Sequence, residues 1–126
     1  MSNANITIEA TDRTPQLEIL FDQGQLRVKG ESYPEDVATF YGPVIDAVHQ
    51  LTAACADIAA SFELVYVNSS SMKALYRIFE VLHQKKADGG TVAIDWKFEE
   101  DDDVMQELGE DFQDRFPDLT FQMITL

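Results

Sequence analysis

The second half of the chain switches its hydrophobic period again and again, and that alternation limits the possible folds more than any other feature. Phe62-Glu63-Leu64-Val65-Tyr66-Val67 is β-rich and mostly apolar, which predicts a buried central strand. Met72, Leu75, Phe79 and Leu82 then recur at three- and four-residue spacing, the pattern of an amphipathic helix. Lys85 and Lys86 suit the negative end of its dipole, and Asp88-Gly89-Gly90 ends it. Thr91 to Phe98 reads as the next strand. Glu99 to Asp103 leads into a helix carrying Val104 or Met105, Leu108, Phe112 and Phe116, and after Pro117 the run Leu119 to Ile124 is a closing strand. Strands separated by helices imply a largely parallel or mixed sheet.

The first half reads differently. Ile6 to Ala10 alternates, and Pro15 is followed by a second extended run, Leu17 to Phe21. Asp22-Gln23-Gly24-Gln25 is a turn signal, and Leu26 to Gly30 alternates again, so a hairpin is expected. Ser32-Tyr33-Pro34-Glu35 has the form of a capping box, with Pro34 in the first turn of the helix that follows. Val37, Phe40 or Tyr41, Val44, Val48, Leu51 and Cys55 mark the apolar face of that helix. Gly42-Pro43 interrupts it and predicts a kink or a restart. The resulting order is β-β-β-α-β-α-β-α-β: one α/β domain over residues 1–126, a mixed sheet with about three helices packed against it.

Charge narrows the function classes. The chain carries -14 at neutral pH, with 23 acidic and 9 basic residues. Such a surface repels nucleic acid and anionic membranes, and it suits a basic protein partner or high solubility. Residues 95–126 alone hold -9 of that charge. Cys55 is the only cysteine, which excludes an intrachain disulfide and fits a reducing cytoplasm. The opening Met1-Ser2-Asn3-Ala4-Asn5 is polar and does not resemble a signal peptide, and no stretch reaches the roughly 18 apolar residues of a membrane span.

Catalytic and metal-binding patterns find little support. His49 and His83 fall at unrelated places on two predicted helices, in no ligand spacing. No Gly-x-Ser-x-Gly elbow surrounds the serines, and no base is evident for them. The run Glu99-Glu100-Asp101-Asp102-Asp103 departs from a calcium loop, because Met105 stands where an oxygen ligand is needed. It reads as a solvated helix start, with docking to a basic partner as another use. No cofactor is implied. The one chemically suggestive cluster is Asn68-Ser69-Ser70-Ser71, at the junction of the Phe62–Val67 strand and the next helix. One serine there serves as an N-cap, or the free N–H groups of the helix start receive an anion. Lys73 and Arg77 are four residues apart and share a face of that helix, where they meet either a nearby phosphate or surface carboxylates.

Two segments carry a family resemblance. Gly30-Glu31-Ser32-Tyr33-Pro34-Glu35-Asp36, followed by Phe40-Tyr41-Gly42-Pro43-Val44-Ile45-Asp46, resembles the first signature of the SiaC family of bacterial regulatory phosphoproteins. Val65-Tyr66-Val67-Asn68-Ser69-Ser70-Ser71-Met72-Lys73-Ala74 resembles the second. The resemblance implies a fold like that of STAS-type anti-sigma factor antagonists, and a partner-switching role. It implies a Ser/Thr protein kinase and an opposing PP2C-type phosphatase, with an unphosphorylated form that binds and activates a GGDEF diguanylate cyclase. The family's phosphoacceptor position, directly after the asparagine, is Ser69; the STAS pattern points to Ser70. The implied partner surface comprises Ser32, Tyr33, Pro34, Asn68, Ser69, Ser70, Lys73 and Arg77. Two rivals stand beside it: an antagonist of an anti-sigma kinase controlling transcription, and a small acidic enzyme or metal binder.

Overall fold

Four residues separate the second and third strands, too few for anything but antiparallel pairing. The computed structural model describes residues 3–126, so Met1 and Ser2 of the polar N-terminal run lie outside the described residues. Strands β1 (Ile6–Ile8), β2 (Gln16–Leu20) and β3 (Gln25–Ser32) pair antiparallel in sequence order. The tight turn before β3 uses Gly24 at φ 66, where its carbonyl also accepts from the Ala59 N–H at 2.9 Å. From β3 onward each strand is reached through a helix. α1 (Val37–Ala54) leads to β4 (Asp57–Val67), α2 (Ser69–Ala87) to β5 (Thr91–Phe98), and α3 (Asp103–Arg115) to β6 (Thr120–Thr125). The pairs β3/β4, β4/β5 and β5/β6 are all parallel, and the sheet order is β1-β2-β3-β4-β5-β6. The expected α/β class, element order, mixed sheet and three helices are all present.

Each crossover steps one strand in the same direction, so crossovers of one hand place all three helices on one face of the sheet. Burial follows. In β4, Ile58, Ala60, Phe62 and Leu64 point into the core, while Ala59, Ser61 and Glu63 lie on the open face. β4 is therefore central, as expected, but buried on one side only. The open face is polar and charge-paired across strands: Glu18 stands opposite Arg27, Lys29 lies 3.5 Å from Glu63, and Glu63 stands opposite Lys97. Cross-strand pairs of opposite sign let a parallel sheet present that face to water.

The covered side holds an aromatic cluster. Phe79 of α2 packs at 5.0 Å from Phe62 and 4.6 Å from Phe112, and Trp96 lies 5.8 Å from both Phe62 and Phe112. Trp96 donates its indole N–H to the Met105 carbonyl at 2.9 Å, which satisfies the buried polar atom.

All three helices begin with the same device, an Asp or Asn side chain accepting the N–H three residues on. Asp36 accepts from Thr39, Asn68 from Ser71 and Asp102 from Met105. The bonds from Thr39 hold the Asp36 carboxyl below its ordinary range. Two expectations change here. The capping box at Ser32 and Glu35 does not form: Ser32 is the last residue of β3, Pro34 precedes the helix, and Asp36 is the cap. Glu35 instead pairs with Arg13 at 2.5 Å. α1 runs unbroken through Pro43, whose side chain is exposed, so the helix does not restart. The acidic run ends in the Asp102 cap and Asp103 of the first turn, in keeping with a helix start.

Gly109 faces Trp96 across the α3–sheet contact. A Cβ there would fall 2.6 Å from the Trp96 Nε1 and 2.8 Å from the Met123 Cε. Alanine favours a helix interior by up to about 1 kcal/mol over glycine, but overpacking costs about 1–3 kcal/mol. Gly109→Ala should therefore lower stability, read as a drop in the urea midpoint.

Candidate functional site

Parallel pairing of β3 and β4 brings their carboxyl ends together. Ser32 pairs with Val67, and the Asn68 N–H donates to the Ser32 carbonyl at 3.0 Å. Asn68 then starts α2. Its Oδ1 accepts the Ser71 N–H at 2.9 Å, and its carbonyl accepts from Met72. The cap is thus the asparagine, where a serine was an open reading. Asparagine caps as well as serine does, so the serine hydroxyls are left for other contacts.

Those hydroxyls part company. Ser69 and Ser70, the first two residues of the helix, are exposed. Their N–H groups belong to the first turn, which has no intrahelical acceptor. Ser71 turns inward and is fully buried. Its Oγ accepts from the Ser32 Oγ at 2.9 Å, and the Ser32 Oγ lies 2.5 Å from the Tyr41 hydroxyl. Since Ser32 donates to Ser71, Tyr41 is the donor to Ser32. Burial pushes the Tyr41 phenol up from its ordinary value, which keeps that donor proton in place. The hydroxyl chain Tyr41–Ser32–Ser71 ties α1, the end of β3 and the start of α2 together inside the core.

The surface above this chain is shaped by a β-bulge. Gly30 pairs with Leu64 but Glu31 with Tyr66, so Val65 is the extra residue in β4. The bulge breaks the alternation and leaves Val65 and Tyr66 both exposed, at 59% and 51%. The Tyr66 ring meets Tyr33 edge to face at 5.6 Å, and the Tyr33 N–H donates to the Arg13 carbonyl at 2.7 Å. Sequence reasoning missed Val65 and Tyr66. The available signal was Val65-Tyr66-Val67 itself, three apolar residues where a one-sided strand should alternate.

The expected surface set is therefore divided. Ser69, Ser70, Lys73 and Arg77 are exposed, Tyr33 and Asn68 are half-buried, and Ser32 and Pro34 are buried. Ser32 cannot touch a partner; it acts by holding Tyr41 and Ser71. Lys73 and Arg77 share a face as predicted and border a cleft of about 710 Å³ between α2 and α3. His49 is exposed on α1, and His83 Nε2 sits 3.5 Å from Asp118, so neither contacts the serines.

A family model described as SiaC family regulatory phosphoprotein matches residues 8–126. This chain belongs to that family of regulatory phosphoproteins. It is similar to an uncharacterized protein of Pseudomonas aeruginosa (strain UCBPP-PA14), 30% identical over 112 residues, with 88% of this chain and 89% of the relative covered. Among solved structures it resembles apo-SiaC from Pseudomonas aeruginosa at a TM-score of 0.88 and 27% identity, over 98% of this chain and 100% of that one. It also resembles a chain in the crystal structure of the diguanylate cyclase SiaD in complex with its activator SiaC, from the same organism. That match has a TM-score of 0.91 and 28% identity, over 96% of this chain and 99% of that one.

The hydroxyl chain has measurable consequences. Ser32→Ala strands a buried phenol without its acceptor and should cost about 1–3 kcal/mol. Tyr41 titrates above 10.0 in the folded state, so the unfolded chain ionises first. Its contribution is present below about pH 10 and is lost as pH rises through the folded value. Tyr41→Phe should flatten the alkaline fall in stability, followed by urea unfolding from neutral to about pH 11.

Proposed function

We propose that this chain, acting as a single unit over residues 1–126, is a non-enzymatic partner-switching phosphoprotein of the cytoplasm. Unphosphorylated, it binds and activates a GGDEF diguanylate cyclase, raising cyclic di-GMP and favouring biofilm formation. A Ser/Thr kinase phosphorylates Ser69, with Ser70 the alternative acceptor, and a PP2C-type phosphatase removes the group. The observation that carries this reading is the near-complete likeness to a chain of the complex between SiaD and its activator SiaC, with a TM-score of 0.91.

The local geometry supports the switch. Ser69 and Ser70 are the exposed hydroxyls of the cluster, whereas Ser71 would have to leave the core to meet a kinase. A phosphate brings about -1.5 to -2 charges to the positive end of a helix dipole. Lys73 lies four residues beyond Ser69, one turn away, where an ammonium group stabilises the modified form. The same phosphate opposes docking, because its hydration must be stripped when a partner covers Val65, Tyr66 and Ser69. Charge added where the free chain tolerates it and the complex does not shifts the equilibrium toward release.

Ser69→Ala should retain cyclase activation. Ser69→Glu should weaken binding at least about tenfold, or 1.4 kcal/mol, by calorimetry and by cyclic di-GMP production. Full activation by both Ser69→Glu and Ser70→Glu would sink the reading. Phosphosite mass spectrometry on protein from its native cell distinguishes the two acceptors.

A further inference from the structure

α1 packs closely along α2, while α3 stands farther from α2 and is joined to it by side chains. Phe112 reaches Phe79 at 4.6 Å, and Tyr76 lies 5.2 Å from Phe116. The space left above these rings is the cleft of about 710 Å³. Its floor is apolar, formed by Met72, Tyr76, Leu108 and Phe112. Its cations are Lys73, Arg77 and Arg115, with the Arg115 guanidinium 5.7 Å from the centre of the Tyr76 ring. Glu80 and Asp111 also line it.

Two facts mark this cleft. It gathers three of the nine basic residues of a chain whose net charge is -14; the open sheet face gathers three more, but there Arg27 stands opposite Glu18, and Lys29 and Lys97 flank Glu63. Among the described residues, none of those three lies within ion-pair distance of a carboxylate, although Glu80 and Asp111 are in the same cleft. An apolar trough with unpaired cations along it matches a ligand that is apolar on one side and acidic on its flanks. The stretch Met72 to Glu80 offers ~12 Å of helix, about two turns, which suits a helix laid into a groove.

We infer that the cleft between α2 and α3 is a docking groove for an acidic amphipathic helix of the partner protein. Leucine-like side chains of that helix cover the floor, and its carboxylates pair with Lys73, Arg77 and Arg115. A basic helix is excluded from the groove by the same cations and is drawn instead to the outer side of α3, where Glu107, Glu110 and Asp114 lie. The inference deepens the switching role and rests on it for regulation alone: phosphate on Ser69, one turn from Lys73, competes with the partner's carboxylates for that cation.

The test uses the full chain, isotopically labelled, and two synthetic helices with leucines on one face and either glutamate or lysine on the flanks. The glutamate helix should shift amide resonances of residues 72–80 and 108–115, at least tenfold more tightly there than the lysine helix. This preference runs against the chain's overall charge, so it reports the groove. Salt should weaken it. Arg77→Glu with Arg115→Glu should abolish it, with thermal unfolding showing the fold intact, and Lys86→Glu at the far end of α2 should leave it unchanged. Shifts confined to other surfaces, no preference for the glutamate helix, or equal shifts from inorganic phosphate at matched ionic strength would each overturn the groove. If the groove fails while the cyclase is still bound and activated, the switching role stands without it. If the glutamate helix binds but no cyclase does, the groove stands and the switching role falls.

Discussion

A parallel sheet extended one strand at a time in a single direction has room for helices on one side only. Much of this molecule follows from that constraint. With β3 to β6 in sequence order, α1, α2 and α3 cover one face and the other must be wettable. Hence the open face carries Glu18, Arg27, Lys29, Glu63, Asp95 and Lys97, and the core is a single layer between sheet and helices. Hence too, all the strand-to-helix junctions fall along one edge, the carboxyl ends of parallel strands, so Ser32 and Asn68 meet there.

That edge would be a weak point without internal polar contacts, because strand ends and helix starts both leave backbone groups unpaired. The chain resolves this in two tiers. Asn68 and Asp36 satisfy the helix starts from outside. Tyr41, Ser32 and Ser71 form a hydroxyl chain beneath them, in which every buried side-chain oxygen has a partner. A satisfied buried network fixes one arrangement of the elements it joins, and a partly satisfied one would be worse than an apolar contact. The surface serines therefore sit on a start of α2 that is held from below.

The order of elements was legible because it depends on local periodicity, and that signal is strong in Met72–Leu82 and in Thr91–Phe98. The shared face of Lys73 and Arg77 was legible for the same reason, since position on a helix follows from spacing, whereas Ser69 and Ser70 were singled out by the family resemblance and not by periodicity. Apart from the restart expected at Pro43, which α1 passes without a break, what failed depended on pairing between distant segments. Ser32-x-x-Glu35 satisfies a local capping rule, yet pairing with Val67 extends β3 through Ser32 and moves the cap to Asp36. The bulge at Val65 is a mismatch between two strands, and neither strand alone reveals it. One-sided burial of β4 likewise depends on strand order, which no single run of residues encodes.

The asparagine cap gives the serine cluster its physical sense. Had a serine capped α2, its hydroxyl would be engaged by a backbone N–H, and modifying it would remove the cap. Because Asn68 carries that bond, Ser69 and Ser70 are free of structural duty while lying at the positive end of the same helix. Ser71 has the opposite assignment, buried and bound to Ser32. Three consecutive identical residues are thus separated by helical rotation into two that a modifying enzyme can reach and one that holds the fold. A charge placed on the first two alters the surface without dismantling the junction below, which is the property a reversible switch requires.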